Sequence, residues 1–466
     1  MAISMDKQIL NGLIDILGAD NVSTDPVDLV CYSKDSFAVG KGVFPDVVCR
    51  PNSVDEISQI MKIANEHEIP VVPRGAGTCL TGGCVPLKKG IVLDLTRMNR
   101  VTELNIENFT VTAEAGMIFT NLNEFLRPFG LFFPPDPASG DVCTLGGMVA
   151  ENASGMRAVK YGTTADYLRA LTIILPDGRV LKTGKGVMKT ASGYDLVHLF
   201  NRSEGTLGVI AEITLKLKPL PKQVATAVAS FETIEAAGVT VSKTITSGIV
   251  PAAIELIDRI AIEVMNETTD LNLPDVAGML FLELDGEDMS EINRDLDRFT
   301  KIAMEEGCLG IEMATEKEER EQMWAGRKRL YATQVRLKPG PIATDIVVPL
   351  SRISMALTRI NEISEKHDLR ISSYGHVGDG NIHSLIIADL RVPEEGHRAH
   401  KAHDDINRMA IELGGTITGE HGIGIEKMHL LTEEHGEVGV EIMKRIKNAI
   451  DPKGIMNPGK LFEVKK

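Results

Sequence analysis

The stretch Pro73-Arg74-Gly75-Ala76-Gly77-Thr78-Cys79-Leu80-Thr81-Gly82-Gly83 decides how the chain is read. It follows a short apolar run, Val71-Val72, that reads as a strand. Closely spaced glycines expose successive backbone N–H groups, and such a nest suits a pyrophosphate. Just upstream, Ser53-Val54-Asp55-Glu56 has the spacing of a capping box and opens a helix with Ile57, Ile60, Met61 and Ala64 on one face, ending near Ile69-Pro70. Helix, strand and glycine loop in that order predict a nucleotide site. Two common phosphate motifs are excluded on residues: G-x-G-x-x-G would need glycine where Leu80 stands, and no Gly-Lys-Ser/Thr occurs.

Two further glycine-bearing loops lie within about 140 residues of the first. One is Thr144-Leu145-Gly146-Gly147-Met148-Val149-Ala150-Glu151-Asn152-Ala153-Ser154-Gly155, after Pro134-Pro135-Asp136-Pro137. The other is Ser203-Glu204-Gly205-Thr206-Leu207-Gly208-Val209-Ile210. Three loops suit an extended ligand better than a single phosphate.

The C-terminal half carries a different chemistry. His376-Val377-Gly378-Asp379-Gly380-Asn381-Ile382-His383 holds two imidazoles, and Gly419-Glu420-His421-Gly422 adds a carboxylate and a third imidazole. Two imidazoles and a carboxylate suit Zn²⁺, Mn²⁺ or Fe²⁺, and three protein ligands leave positions open for a substrate oxygen. The expected ligands are His376, His383 and Glu420, with His421 beside them as a base. A competing trio, His397, His400 and His403, lies in the polar segment Glu394–Asp405 and is expected to form the solvated face of a helix.

Composition bounds these readings. A chain of 466 residues is long enough for two or three domains. Its net charge of −15 disfavours nucleic acid. No apolar run approaches the roughly 20 residues of a membrane span, so no transmembrane segment is expected. The six cysteines (31, 49, 79, 84, 143 and 308) contain no C-x-x-C, which argues against an iron–sulfur cluster or zinc knuckle. Reduced thiols and the absence of a basic leader in Met1–Asp20 predict a cytoplasmic chain.

With the three loops assembled, the chain resembles the flavoprotein family of vanillyl-alcohol oxidase and p-cresol methylhydroxylase, and within it the branch of FAD-linked D-lactate dehydrogenases and the homologous component of glycolate oxidase. The likeness runs from about Pro45 to the closing segment Asp451-Pro452-Lys453-Gly454-Ile455-Met456-Asn457-Pro458-Gly459-Lys460. It implies an α+β fold: a two-subdomain FAD-binding domain over residues 1–220, a cap domain with an antiparallel sheet over 221–418, and a C-terminal segment, 419–466, returning to the FAD domain and active site. The resemblance assigns Pro73, Arg74, Gly75, Ala76, Gly77, Thr78, Thr81, Gly82 and Gly83 to the pyrophosphate. It assigns Asp136, Ser139, Thr144, Gly146, Gly147, Asn152, Ser154, Gly155, Glu204, Gly205, Ile210 and Asn457 to the rest of a non-covalent FAD. In metal-containing relatives the positions of His376, His383 and Glu420 ligate the ion and that of His421 is the base. Arg202 stands where relatives often carry glycine, which puts the local loop geometry in question.

The implied reaction is oxidation of a small 2-hydroxy acid, D-lactate first, to the 2-oxo acid. Arg327, in Trp324-Ala325-Gly326-Arg327-Lys328-Arg329, is the candidate for the substrate carboxylate; the alternative is a solvated basic helix. Asn381 is expected to touch substrate or orient the ligands, and Asp379 to stand behind them. Relatives acting on 2-hydroxyglutarate carry a lysine near Ala343, whose absence favours a monocarboxylate. Electrons must leave to an external acceptor, an electron-transferring flavoprotein or other redox subunits. Alternatives are a glycolate oxidase subunit, a D-2-hydroxyglutarate dehydrogenase, and a non-catalytic flavin relay.

Overall fold

The computed structural model describes residues 5–37 and 42–462; Met1–Ser4 of the N-terminal segment lies outside the described residues. The chain divides into two compact units. The first comprises Met1–Ala153, Thr163–Leu220 and Glu420–Lys466, and the second Ser154–Gly162 and Pro221–Gly419.

In the first unit, strands Val47–Cys49, Ile91–Asp94 and Val71–Arg74 run parallel, with Val22–Ser23 antiparallel at one edge. Helix Val54–Glu66 connects two of them and buries Ile57, Ile60, Met61 and Ala64. Its N-terminus differs from a simple capping box. Ser53 Oγ accepts from Glu56 N–H (3.2 Å), but the Glu56 carboxylate reaches Asn52 N–H (2.6 Å), one residue beyond the cap. The glycine loop therefore leaves the C-terminal end of a parallel strand, where open α/β sheets bind their ligands. A five-stranded antiparallel sheet completes the unit in the order Val101–Asn105, Thr110–Glu114, Val209–Lys216, Leu168–Ile174, Val180–Gly184. The C-terminal segment joins the parallel sheet: Val71 N–H donates to Ile455 O and Asn457 N–H to Val71 O, both at 2.8 Å.

The second unit is built on seven antiparallel strands: β1 (Gln223–Phe231), β2 (Ala253–Asp258), β3 (Gly278–Gly286), β4 (Cys308–Ala314), β5 (Ile342–Val347), β6 (Arg370–Gly375) and β7 (Asn381–Ile387). Their order is β4-β1-β3-β2-β6-β7-β5. Residues two apart share a face of a strand. One face carries Ala253, Ile257, Met279, Phe281, Tyr374, Leu385 and Ile387, packed with Val264 and Met265 of helix Arg259–Thr268 and Trp324 and Leu330 of helix Lys317–Gln334. Helices Ile234–Thr246, Ile353–His367 and Pro393–Glu412 pack side by side as a separate layer. Ser154–Gly162, read from the sequence as part of the FAD domain, is grouped with this unit instead. Two acids of one face of β3 hold it: Glu283 meets Arg157 at 3.3 Å, and Asp285 takes Tyr161 Oη at 2.7 Å and the Lys160 ammonium. Among the described residues no helix is long and apolar enough to cross a membrane.

Candidate active site

The first glycine loop splits into two halves with different partners. Gly75 through Thr78 remain partly open. Gly77 has φ +72°, and a Cβ there would lie 2.1 Å from Arg74 Nη2. Both facts require glycine. The Arg74 side chain folds beneath the loop: Nη1 donates to Lys34 O (2.8 Å) and the guanidinium lies over the Tyr32 ring. It is a buried cation supporting the nest from below. A Cβ on Gly75 would meet Thr144 Oγ1 at 2.2 Å, so the first and second loops touch backbone to side chain.

The second half of the loop faces the C-terminal segment. Thr81 Oγ1 donates to His421 O (3.2 Å), Thr81 O accepts from Ile425 N–H (2.9 Å), and Gly83 O accepts from Asn457 Nδ2 (2.8 Å). A Cβ on Gly82 would strike Ile425. Thr81, Gly82 and Gly83 thus dock the chain's own tail. Glu204 and Asn457 do the same. Both Glu204 carboxylate oxygens accept backbone N–H groups, from Ile423 (2.7 Å) and Gly424 (2.8 Å), while Asn457 Nδ2 also donates to Glu204 O (2.7 Å). Burial pushes the Glu204 carboxyl up, against those two hydrogen bonds. Asn152 Oδ1 accepts from Ala165 N–H (2.8 Å), and Ile210 is a buried strand residue paired with Ile173. Arg202 sits at φ +62°, the left-handed region that a glycine would favour.

A cavity of about 600 Å³ opens beside Ala76 and Thr144, with Gly116, Met117, Ile118 and Asn121 along its wall. Its size and its two glycine-loop edges fit part of a dinucleotide. Four thiols are held protonated by their surroundings: burial raises Cys49 and Cys84 to about 12 and Cys143 to about 11, and lifts Cys79 well above an ordinary thiol. All six cysteines are free.

In the second unit the structure brings His376 and His383 together. Their ring centroids are 5.0 Å apart and nearly perpendicular, with a nitrogen of each within 4.8 Å of the other. Each ring has a buried carboxylate at Nδ1, and neither acid was singled out from sequence. Glu255 Oε1 lies 2.5 Å from His376 Nδ1. Asp345 Oδ1 lies 3.5 Å from His383 Nδ1, an electrostatic contact and not a hydrogen bond, and the two residues face each other in the β5–β7 register. A carboxylate behind a histidine sets its tautomer and orientation and raises its strength as a metal ligand. The pair therefore fits the expected ion on donor chemistry.

Asp345 is anchored hard. It accepts from Asn381 Nδ2 (2.9 Å), Thr418 Oγ1 (2.8 Å) and Gly419 N–H (2.9 Å). Asn381, expected to touch substrate or orient the ligands, donates its other amide N–H to Ile346 O (3.0 Å), so its amide positions β5 and Asp345. Asp379 accepts from Asn381 N–H (3.1 Å). Gly419 leads directly into Glu420 and His421 of the first unit, where His421 Nε2 lies 4.0 Å from Glu420 Oε1.

Arg327 is not on a solvated basic face. It is 8% exposed, its Nε donates to Glu255 Oε2 (2.8 Å), its Nη2 pairs with the same oxygen, and its guanidinium lies 5.0 Å from the Tyr374 ring centroid. Burial works to raise the Glu255 carboxyl, but Arg327 first and then His376 and His383 outweigh it, and the group is held below its ordinary range. On the same strand, Asp258 is raised to about 7 by burial, because its partners are backbone N–H groups of Ala261 and Ser373. The helical trio does not form a face: His397 and His400 are exposed while His403 is buried beside Asn407. At 100° per residue, six residues carry the third ring 120° around the helix.

An FAD binding domain model matches residues 45–184 and an FAD linked oxidases C-terminal domain model matches residues 220–461. The chain is 38% identical to glycolate oxidase subunit GlcD of Bacillus subtilis (strain 168), over 98% of this chain and 97% of that protein. It is 36% identical to mitochondrial D-lactate dehydrogenase [cytochrome] of Arabidopsis thaliana, over 98% of this chain and 80% of that one. Among solved structures, p-cresol methylhydroxylase superposes with a TM-score of 0.80 at 17% identity, covering 98% of this chain and 96% of the other, which establishes the shared fold. With FAD-domain glycine loops in one unit and the antiparallel sheet in the other, the chain belongs to the FAD-linked oxidases, the flavoenzyme family of glycolate oxidase GlcD and the D-lactate dehydrogenases.

Proposed function

We propose that this FAD-dependent oxidoreductase oxidises a small 2-hydroxy acid, D-lactate first, to the 2-oxo acid, with a divalent Zn, Mn or Fe ion held by His376, His383 and Glu420. The observation carrying this reading is the histidine pair with a carboxylate at each Nδ1. A redox relay needs no such pair. When bound, the flavin supplies a two-electron acceptor and the cation a Lewis acid that acidifies the substrate hydroxyl.

The chain's own groups do the rest. Oxidation of the C–OH to C=O releases one proton and a hydride equivalent. The His421 imidazole takes the hydroxyl proton, as an imidazole does near neutral pH. Arg327 offers the substrate carboxylate the N–H groups that Glu255 does not occupy, since guanidinium carries five. Asn381 and Asp345 hold His383 in place. Ala343, small and against the sheet's apolar face, leaves no cation for a second substrate carboxylate. Cytoplasmic residence is supported by six free thiols; a partner redox subunit is supported by the subunit name of the Bacillus relative, and an electron-transferring flavoprotein is the proposed acceptor.

Anaerobic mixing of the purified protein with D-lactate, L-lactate, glycolate and 2-hydroxyglutarate, with metal analysis alongside, tests the reading. Bleaching of the yellow flavin is expected fastest with D-lactate. A flavin left oxidised by all four acids would make the relay reading the better one. Rapid turnover with a quinone and none with an electron-transferring flavoprotein would overturn the acceptor.

A further inference from the structure

Two acids stand behind the two histidines, and they are held differently. Asp345 is a dedicated support: its other partners are Asn381 Nδ2, Thr418 Oγ1 and Gly419 N–H, all on segments that flank the site. Glu255 is divided. Its Oε1 meets His376 Nδ1, and its Oε2 takes both Nε and Nη2 of Arg327. Its side chain is wholly buried, and Arg327 is clamped from the other side by the Tyr374 ring.

We propose that Glu255 is a shared positioning residue, one carboxylate that orients His376 toward the cation and Arg327 toward the substrate carboxylate at once. This rests on the reading of His376 as a metal ligand. A wholly buried carboxylate must keep its charge partners, because water is not there to replace them. Neither partner can therefore move without disturbing the other, and retention of the cation is tied to the arrangement of a guanidinium that does not itself ligate it. Glutamine at 255 matches the shape but offers one acceptor oxygen and one donor NH₂. It serves one partner and repels the other.

The test is zinc titration of FAD-loaded, metal-stripped protein against a chromophoric chelator. Glu255→Gln is expected to weaken zinc binding by about 10–100-fold, the usual cost of losing an outer-shell partner. It also raises KM for D-lactate more than it lowers kcat at saturating zinc. Glu255→Asp, which keeps the charge, recovers part of the zinc affinity. Arg327→Gln weakens zinc binding by about 2–100-fold, the range of coupling between residues of one network. A merely local support would leave that value unchanged. Wild-type zinc affinity in Glu255→Gln overturns the inference, and wild-type zinc affinity in Arg327→Gln overturns the sharing. Should Glu255→Gln fail to fold with FAD, Arg327→Gln decides. A wild-type protein that takes up no zinc, manganese or iron removes the metal reading itself, a distinct outcome.

Discussion

Strand β2 carries two buried acids, one mid-strand and one at its end, with opposite electrostatics. Glu255 sits between Arg327 and His376 and is held ionised. Asp258, three residues on, meets backbone N–H dipoles, chiefly those of Ala261 and Ser373, and burial raises its carboxyl to about 7. Two backbone donors do not offset full desolvation, whereas one guanidinium with two imidazoles nearby does. Burial alone therefore does not mark a functional acid; the identity of its partners does.

Removing a partner of Glu255 should break the comparison most visibly. His376→Ala is expected to slow D-lactate-driven bleaching by about 10²–10⁴-fold, the scale attached to lost positioned groups in catalysis, and to abolish metal retention. Stopped-flow spectra and metal analysis check it. Next in size, Arg327→Met leaves Glu255 buried against one partner and should cost about 3–5 kcal/mol of stability at neutral pH, read by thermal unfolding of the FAD-loaded protein.

Asp258→Asn sharpens the other side. The folded carboxyl at about 7 lies above its ordinary value of 3.8, so the native state holds the proton more tightly than the unfolded chain. Its contribution to stability is complete below 3.8 and is lost as pH rises through about 7. Asparagine keeps the helix cap without the charge. Relative to wild type, the variant should therefore gain about 2–4 kcal/mol between pH 4 and 7.5, at roughly 1.4 kcal/mol per unit. Equal pH slopes in the two proteins would refute the assignment. The smallest effect belongs to the solvated histidines: His400→Ala should leave metal content unchanged and shift stability by less than about 0.5 kcal/mol.

Legibility in the sequence followed the range of each interaction. The strand and the three glycine-bearing loops were readable because glycine spacing and apolar periodicity are local signals, and the histidine pair because its two members lie seven residues apart. Glu255 was not, since its bond to His376 spans 121 positions, and Asp345 is equally remote from any motif. A signal did exist: a lone acid inside Ala253-Ile254-Glu255-Leu256-Ile257 and another inside Ile342-Ala343-Thr344-Asp345-Ile346 are costly unless paired. The docking of the C-terminal segment by Glu204, Asn457 and Thr81–Gly83 gave no local signal, because its hydrogen bonds join positions more than 200 residues apart. His403 was misread because spacing by three was treated as a face.

The clasp between Asn457 and Gly83 sets an order on biosynthesis. The opening loop's Gly83 carbonyl and the edge of the Val71 strand find their partners in residues 455–457. In a nascent polypeptide those backbone groups stay without these partners until the codon for Asn457 has been read.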